Sequence, residues 1–472
     1  MLSELAWRGF GFAYGIFNLV VMAFIAGTRD KAFSDRTSEE EKRELSIAQK
    51  KYWDVKGQPI LGFHHDFYTA NGVKLHYVVN APSGRKAQRV AIFIHGFPDS
   101  FLLWRAILAS PKLQDYTLIA VDLPGYGGSD DLPIYDPENV LQSLAGFILG
   151  MRELYLAESG KLVMVTHDWG GIVGARLASE AKELADRWII AGAIIPQQVY
   201  SNVLTHIASA KQMIRTFFHW PFRPALVKSS LRTLSPVFGQ IARSFYIFIL
   251  QLPFPLAQLF TRFGNFWFLR VLHLVQARII TSKGKKDRRL TEKEKAEWMV
   301  VSSGPGVGQF PEGEASKEHQ GYSESVKQRI KDFGLRQKIR IYREHLALNP
   351  WEKSLATIVA LSEIEVPPSR SNSGAGLFED GPPGALKVPA TLIYGKHDPA
   401  FEGRLALEGI SDYLVKGSQV LTVQKGAHWL PFEEEGINVL VETTLWALGD
   451  EKESLNEGIR RSGEEVKWVA EK

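Results

Sequence analysis

The sequence predicts an α/β fold in which a mostly parallel sheet carries helices on both faces, with an inserted helical cap and an N-terminal transmembrane helix. Three observations support this prediction: short apolar runs alternate with helical patterns, a long stretch without acids interrupts the alternation, and an uncharged apolar run lies near the start. The length of 472 residues allows one large domain with insertions or two to three small ones. A composition of 45% hydrophobic and 23% charged residues excludes a largely disordered chain and a polytopic membrane protein.

The charge and cysteine content exclude further classes of protein. The chain has no cysteine, which excludes disulfides, thiolate catalysis and cysteine-ligated metal centres. A net charge of +4 on this length gives no indication of nucleic-acid binding. No motif implies a metal or an organic cofactor, so we expect none. The oligomeric state stays open.

The apolar run Gly9–Gly27 contains nineteen residues without a charge. As a helix it would span ~28 Å, about the thickness of a hydrocarbon core. A cleaved signal peptide needs small residues before its cleavage site, and Phe24-Ile25-Ala26 fits that pattern poorly. We therefore predict a retained single-pass anchor in residues 1–30.

Charges on either side of this run predict its orientation. Arg29, Lys31 and Arg36 follow the run, whereas Arg8 alone lies close before it. The positive-inside rule then places the rest of the chain on the cytosolic side. The absence of any N-x-S/T sequon agrees with this orientation, and the endoplasmic reticulum is the expected membrane.

Strands and helices alternate through most of the remaining chain. The carboxyl ends of parallel strands are where such sheets carry functional groups. The predicted strands are a hairpin over Phe67–Val79 that turns at Asn71-Gly72, followed by Val90–Ile94, Tyr116–Asp122, Leu162–Thr166, Ile189–Ile195, Ala390–Tyr394 and Val420–Val423, with helices over Asn139–Leu156 and Ile172–Leu184 among them.

A basic, apolar stretch interrupts the alternation. Ser201–Arg289 holds fourteen Lys and Arg against a single acid, Asp287. Such a stretch fits a surface that faces anionic lipid, a pocket for an apolar acid, or an insertion whose basic side is simply solvated. The expected organisation is an anchor (1–30), a connector (31–62), a core in two parts (63–196 and 390–449), a cap (197–366), a linker rich in Pro, Gly and Ser (367–389), and a polar, solvated tail (450–472).

The sharpest motif is Thr166–Gly171, which follows an apolar run and opens a helical pattern. This is the setting of a nucleophile elbow, where small residues permit a tight turn that projects the central side chain. The projecting side chain here is a carboxylate, Asp168. A carboxylate can displace a leaving group at saturated carbon, and water must then hydrolyse the resulting ester. That reaction needs a general base, an acid that orients the base, and donors for an oxyanion.

Candidates for these roles follow other predicted strands. His428 follows the last strand and is the expected base, and Asp398 follows the preceding strand and would hold the imidazole. The order nucleophile, acid, histidine is the order expected on such a sheet. Taken singly, Asp168 could be a helix N-cap, His428 a core histidine and Asp398 a turn residue. Their order and their common place at strand ends favour a catalytic triad.

An early strand supplies the expected oxyanion hole. The motif formed by His95, Gly96, Phe97 and Pro98 follows that strand directly. We expect the backbone N–H groups of Phe97 and Trp169 to stabilise the oxyanion.

With these residues in place, the sequence resembles the epoxide hydrolase group of the α/β-hydrolase fold superfamily over roughly Phe63–Ala447. The segments HGFPDSFLLWR, VDLPGYGGSD, HDWGG, the Asp398 turn and GAHW carry the resemblance, in the order of that group. It implies an α/β-hydrolase fold and a hydrolase that opens a small epoxide to a vicinal diol. The apolar, basic cap predicts an apolar, lipid-derived substrate that enters from the bilayer. Thr166 and the Lys425-Gly426-Ala427 segment depart from the usual pattern.

The resemblance also implies two cap tyrosines that hydrogen-bond the epoxide oxygen. Tyr342 matches the second tyrosine segment and Tyr246 the first, with Tyr200 as the alternative to Tyr246. A phenol with a pKa near ~10 stays protonated at neutral pH and can donate to a developing alkoxide.

Two other functions fit the same residues. A haloalkane dehalogenase would use the same triad and take Trp169 as one halide donor, but the side chain of Phe97 cannot serve as the second. A hydrolase-fold lipid-binding protein without turnover would have no need of all three triad residues. The expected partners are the substrate and a membrane, bound through the N-terminal helix and the basic cap, and no nucleic acid.

Overall fold

Nine strands form one sheet in the computed structural model, which describes residues 2–33, 37–219, 223–281, 290–310, 321–364, 381–451 and 453–472. The strands lie in the order β1-β2-β4-β3-β5-β6-β7-β8-β9. They are β1 (His64–Ala70), β2 (Val73–Val79), β3 (Ala87–Ile94), β4 (Thr117–Val121), β5 (Leu156–His167), β6 (Arg187–Ala191), β7 (Ala390–Gly395), β8 (Gln419–Val423) and β9 (Val466–Glu471).

The sheet is parallel from β4 to β8 and antiparallel at its edges, where β2 pairs with β1 and β4, and β9 pairs with β8. The predicted mostly parallel sheet is therefore confirmed. Asn71 and Gly72 both have positive φ and join β1 to β2, the conformation that a two-residue hairpin turn requires. Successive residues of β3 face opposite sides, so Ile92 and Ile94 pack in one buried cluster and Phe93 in the other.

Helices cover both faces of the sheet and fill the insertion between β6 and β7. They are α1 (Leu2–Thr28), α2 (Glu39–Trp53), α3 (Arg105–Leu108), α4 (Pro137–Tyr155), α5 (Trp169–Glu180), α6 (Pro196–His219), α7 (Pro224–Arg243), α8 (Phe245–Leu250), α9 (Phe254–Thr281), α10 (Glu292–Ser303), α11 (Glu324–Gln328), α12 (Leu335–Lys338), α13 (Leu355–Ser362), α14 (Gly403–Leu407), α15 (Glu434–Leu448) and α16 (Leu455–Arg461).

Helix α1 contains the apolar run that the sequence predicts to cross a membrane. Within the described residues it is the one helix, over Leu5–Thr28, with the length and apolar composition to do so. In the most apolar part of this helix, 22% is buried against the rest of the protein. Just after α1 ends at Thr28, the side chain of Asp30 accepts a hydrogen bond from Trp267 Nε1 at 2.8 Å.

Two expectations about the sheet are wrong. The strand expected at Ile189–Ile195 runs instead over Arg187–Ala191, because Gly192 has a φ of 52° and turns the chain away. The tail expected to be solvated forms α16 and β9, and β9 pairs with β8. The sequence did not predict a strand in the tail, because every second residue of β9 is only half-buried. The apolar pattern among its many charged residues is therefore weak. Most of the expected linker lies outside the described residues, which resume at residue 381.

Candidate active site

Asp168 lies at a sharp turn between β5 and α5, with a φ of 52° and a ψ of −121°. Two glycines make this turn possible. A Cβ on Gly170 would lie 2.4 Å from the carbonyl oxygen of His95, and one on Gly171 would lie 2.4 Å from the Cβ of Ala193. The turn brings the carboxylate to the carboxyl end of the sheet, and its side chain makes no N-cap hydrogen bond to α5.

The structure brings the three predicted triad residues together. Nε2 of His428 lies 3.5 Å from Oδ2 of Asp168, and Nδ1 of the same ring lies 2.9 Å from Oδ2 of Asp398. Asp168 and His428 are both buried, with exposed fractions of 7% and 5%. The imidazole is thus held between two carboxylates in a place from which water is largely excluded.

The predicted oxyanion donors contact the same carboxylate. The backbone N–H of Phe97 donates to Oδ1 of Asp168 at 2.7 Å. The backbone of Trp169 also hydrogen-bonds this carboxylate. Oδ1 of Asp168 is therefore held by the backbone N–H of Phe97, whereas Oδ2 faces His428.

The remaining residues of the early motif shape the backbone around these donors. His95 is fully buried; its Nδ1 lies 2.8 Å from the carbonyl oxygen of Gly96, and its Nε2 accepts from the N–H of Leu123 at 3.0 Å. A Cβ on Gly96 would lie 2.3 Å from Oδ1 of Asp168. Pro98 follows a cis peptide bond, and its carbonyl oxygen accepts from Nζ of Lys338 at 2.9 Å. The motif therefore acts through backbone geometry.

Two of the three candidate tyrosines meet above the elbow. The ring of Tyr342 lies edge-on to Trp169 and Phe97, at centroid distances of 4.8 and 5.2 Å. Tyr246 lies edge-on to Tyr342 at 5.9 Å. Tyr200 is 53% exposed on α6. The structure thus brings Tyr246 and Tyr342 together at the carboxylate and leaves Tyr200 at the surface.

The charges of the site shift the pKa values of its groups. Burial lowers the pKa of His428, but the carboxylates of Asp398 and Asp168 raise it well above its ordinary value. Burial raises the pKa of Asp168, yet the hydrogen bond and charge of His428 hold it below its ordinary value. Burial raises the pKa of Tyr342 well above 10, and that of Tyr246 is raised for the same reason. Both phenols are therefore protonated at neutral pH.

Sequence reasoning missed three buried groups that support the site. Nε2 of His167 lies 2.7 Å from the carbonyl oxygen of His428 and fixes that backbone, and burial lowers the pKa of His167 to about 4. Burial raises the pKa of Asp99 to about 7 and lowers that of Lys338 to about 7. His167 and Asp99 each lie within a motif of the sequence, but Lys338 comes from the insertion and no local pattern marks it. In the described part of the chain, no group of three or more His, Asp and Glu side chains could hold a metal ion.

The fold and the elbow together define the class of α/β hydrolases. The sequence profile of the alpha/beta hydrolase family matches residues 91–442. Because this match covers most of the chain, the chain belongs to that family.

Several relatives carry a more specific name. Epoxide hydrolase 3 of Xenopus tropicalis is 31% identical over 163 residues, which are 34% of this chain and 42% of that protein. Epoxide hydrolase 4 of Mus musculus is 27% identical over 260 residues, 53% of this chain and 58% of that protein. The chain thus spans about half the length of the curated relatives it matches.

A crystal structure of a Bacillus megaterium epoxide hydrolase in complex with an inhibitor aligns with 81% of this chain and 99% of its own, at 18% identity and a TM-score of 0.45. The resemblance to the epoxide hydrolase group that the motifs imply is confirmed by the named relatives.

Proposed function

We propose that the protein hydrolyses an apolar epoxide to a vicinal diol through an ester on Asp168. The observation that carries this proposal is the carboxylate at the elbow, with the backbone N–H of Phe97 on Oδ1 and His428 at 3.5 Å from Oδ2. A serine in this position would attack a carbonyl, but a carboxylate attacks saturated carbon. The names of the relatives support the choice of an epoxide as the electrophile.

The first step opens the ring. Oδ2 of Asp168 attacks an epoxide carbon, the carbon–oxygen bond of the ring breaks, and Tyr246 and Tyr342 donate hydrogen bonds and a proton to the departing oxygen. Burial raises the pKa of both phenols, so a proton is available throughout the neutral range. Preorganised donors aimed at developing charge are worth roughly 10²–10³ in rate.

The second step releases the diol. His428, oriented by Asp398, takes a proton from water, and the water oxygen adds to the ester carbonyl of Asp168. The N–H groups of Phe97 and Trp169 hold the resulting oxyanion. Collapse of this intermediate breaks the bond between Cγ and Oδ2 of Asp168, and the departing alkoxide takes the proton that His428 holds. The diol leaves with the former Oδ2, and Asp168 keeps one oxygen from the water. The proton of the new carboxyl group returns to the tyrosine that protonated the epoxide oxygen.

The labelling of Asp168 tests this mechanism. We expect a single turnover with an apolar epoxide in heavy-oxygen water to place the label in the Asp168 side chain, measured by mass spectrometry of the peptide. His428→Gln should accumulate a covalent adduct of one substrate mass, because its ester cannot be hydrolysed. His219→Gln, a change at an exposed histidine on α6, should behave as the wild type. Diol that forms without label in Asp168 would exclude the ester.

The same experiment decides against the alternatives. A dehalogenase would also label Asp168, but with a haloalkane and not with an epoxide. The epoxide is supported because Tyr342 packs on Phe97 and Tyr246 packs on Tyr342, so two phenols lie beside the elbow. The side chain of Phe97 offers no donor for a halide. A lipid-binding protein without turnover would give neither label nor diol.

We also propose that the protein is anchored through α1 in the endoplasmic reticulum, with the sheet on the cytosolic side and the cap helices that pack against α1 in contact with the membrane. We propose further that its substrate is lipid-derived and reaches the site from the bilayer. The length and apolar composition of α1 support the anchor. Exposed cations and exposed apolar side chains on α6 and α7 support a second contact with anionic lipid.

A further inference from the structure

Helix α1 packs against α8, the short cap helix that carries Tyr246. The contact is made by glycines on one face of α1. A Cβ on Gly11 would lie 3.8 Å from the ring of Phe248, and a Cβ on Gly15 would lie 2.6 Å from the carbonyl oxygen of Phe248 and 2.9 Å from the side chain of Leu252. Small residues spaced four apart allow helix backbones to approach closely in this way.

Aromatic side chains of α1 complete the contact. The rings of Trp7, Phe10 and Tyr14 surround Phe248 at centroid distances of 6.1, 6.0 and 5.0 Å. The other end of α1 is held independently, because Asp30 accepts a hydrogen bond from Trp267 of α9. A clash at Gly15 therefore cannot be relieved by a free swing of α1, and α8 must move instead.

Movement of α8 would reach both tyrosines of the site. Tyr246 lies on α8 itself, two residues before Phe248. The segment of Tyr342 is tied to the end of α8, because the guanidinium of Arg343 donates to the carbonyl oxygens of Leu250 and Leu252. The position of α1 against α8 thus affects the positions of the hydrogen-bond donors Tyr246 and Tyr342. His428 and Asp398 lie on loops that follow sheet strands, and they take no part in this contact.

We propose that Gly15 is a positioning residue for Tyr246, so that α1 supports the active site and is more than a tether. The inference rests on the proposed function, because its consequence is the rate of ring opening. The glycine is required by the close approach of a backbone carbonyl, which cannot turn aside as a side chain could. A displacement of about 1 Å in such a donor can cost on the order of 10²-fold in rate.

Gly15→Ala tests the proposal, with Gly9→Ala as its matched control. Both substitutions add one methyl group to the same helix, but a Cβ on Gly9 meets nothing within 4 Å. The experiment uses the full chain in detergent micelles and a single turnover of an apolar epoxide. Loss of substrate then reports formation of the ester, and release of diol reports its hydrolysis.

We expect Gly15→Ala to slow ester formation roughly tenfold and to leave ester hydrolysis within about twofold of wild type. Hydrogen exchange at the amides of α8 should rise in Gly15→Ala and stay at the wild-type level in Gly9→Ala. The split between the two steps is the signature of positioning, because a general loss of structure would slow both.

Three outcomes would overturn the inference. Equal ester-formation rates in the two variants would show that Gly15 has no special role. Equal slowing of both steps, together with a lower melting temperature, would mean that Gly15 contributes only to the packing and stability of the fold. A wild-type protein that opens no epoxide would overturn the proposed function along with the inference, and the wild-type control alone would reveal that case.

Discussion

At the scale of single residues, the arrangement of His428 between two carboxylates would set the order of the two steps in the proposed reaction. In the free protein both Asp168 and Asp398 raise the pKa of His428. Ester formation removes the charge of Asp168, so one of the two groups that keep the imidazole protonated is lost. The pKa of His428 therefore falls, so that more of the imidazole is neutral and able to accept a proton when the ester needs water.

This electrostatic coupling predicts different pH dependences for the two steps. Ester formation needs ionised Asp168, whose pKa is held below its ordinary value, so its rate should be flat from about pH 6 to pH 8. Ester hydrolysis needs neutral His428, so its rate should rise with pH through the pKa of the ester form, which lies below that of the free protein. Single-turnover rates across this range measure both. Ester hydrolysis that does not change with pH would contradict the assignment of His428 as the base.

At the scale of the structural elements, the elbow between β5 and α5 depends on a glycine that no side chain can replace. A Cβ on Gly170 would lie 2.4 Å from the carbonyl oxygen of His95 and 2.5 Å from that of Ile94. We expect Gly170→Ala to lower the free energy of unfolding by about 1–3 kcal/mol, as overpacking of a buried site does, and to abolish most turnover.

Chemical denaturation and diol formation measure the two effects of Gly170→Ala. Gly308→Ala is the control, because a Cβ on Gly308 meets nothing within 4 Å. Equal stability and activity in the two variants would mean that the elbow tolerates a side chain.

The elements of the sheet were predictable because apolar runs that end in motif residues identify parallel strands. The strand that ends at Ala191 was placed too late, since the run continues in sequence past Gly192, where the backbone turns. The proximity of Asp168, Asp398 and His428 was predictable for the same reason, because each follows a strand that ends at the same edge of the sheet. The contact between α1 and α8 could not be predicted from the sequence. Both helices are mainly apolar, so the sequence does not indicate which of their faces meet.

At the scale of the whole molecule, the C-terminal tail closes an edge of the sheet. Val466–Glu471 pairs with β8, and Leu455 and Ile459 of α16 are buried. Removal of residues 454–472 should leave an unpaired edge on β8 and promote aggregation on heating, as measured by light scattering.

A point change in the same tail is the control for this deletion. Arg461 forms an ion pair with Glu453 in which both side chains are 65% exposed. Exposed pairs contribute little, so Arg461→Gln should leave the onset of aggregation unchanged. A truncated protein that stays as soluble as Arg461→Gln would show that β9 is dispensable.

The cap presents basic and apolar side chains together on its surface, as the sequence suggested. Helices α6 and α7 contain no acid, and the apolar side chains of Leu204, Ile207 and Leu231 are 48%, 44% and 59% exposed. Their exposed cations are Lys211, Arg215, Lys228 and Arg232. Each basic side chain near an anionic surface contributes about 1 kcal/mol, so four can hold this part of the cap on a bilayer.

The absence of cysteine allows a direct measurement of this contact. A single fluorophore on Leu231→Cys should be quenched by brominated lipid in anionic nanodiscs, and much less in zwitterionic ones. Replacement of the four cations by Gln should abolish the difference, because the electrostatic attraction is lost. Replacement of four exposed cations elsewhere, Arg85, Lys86, Lys416 and Lys467, should preserve it. Quenching that is the same in all variants and lipids would mean that α1 alone binds the membrane and that the basic side of the cap is only solvated.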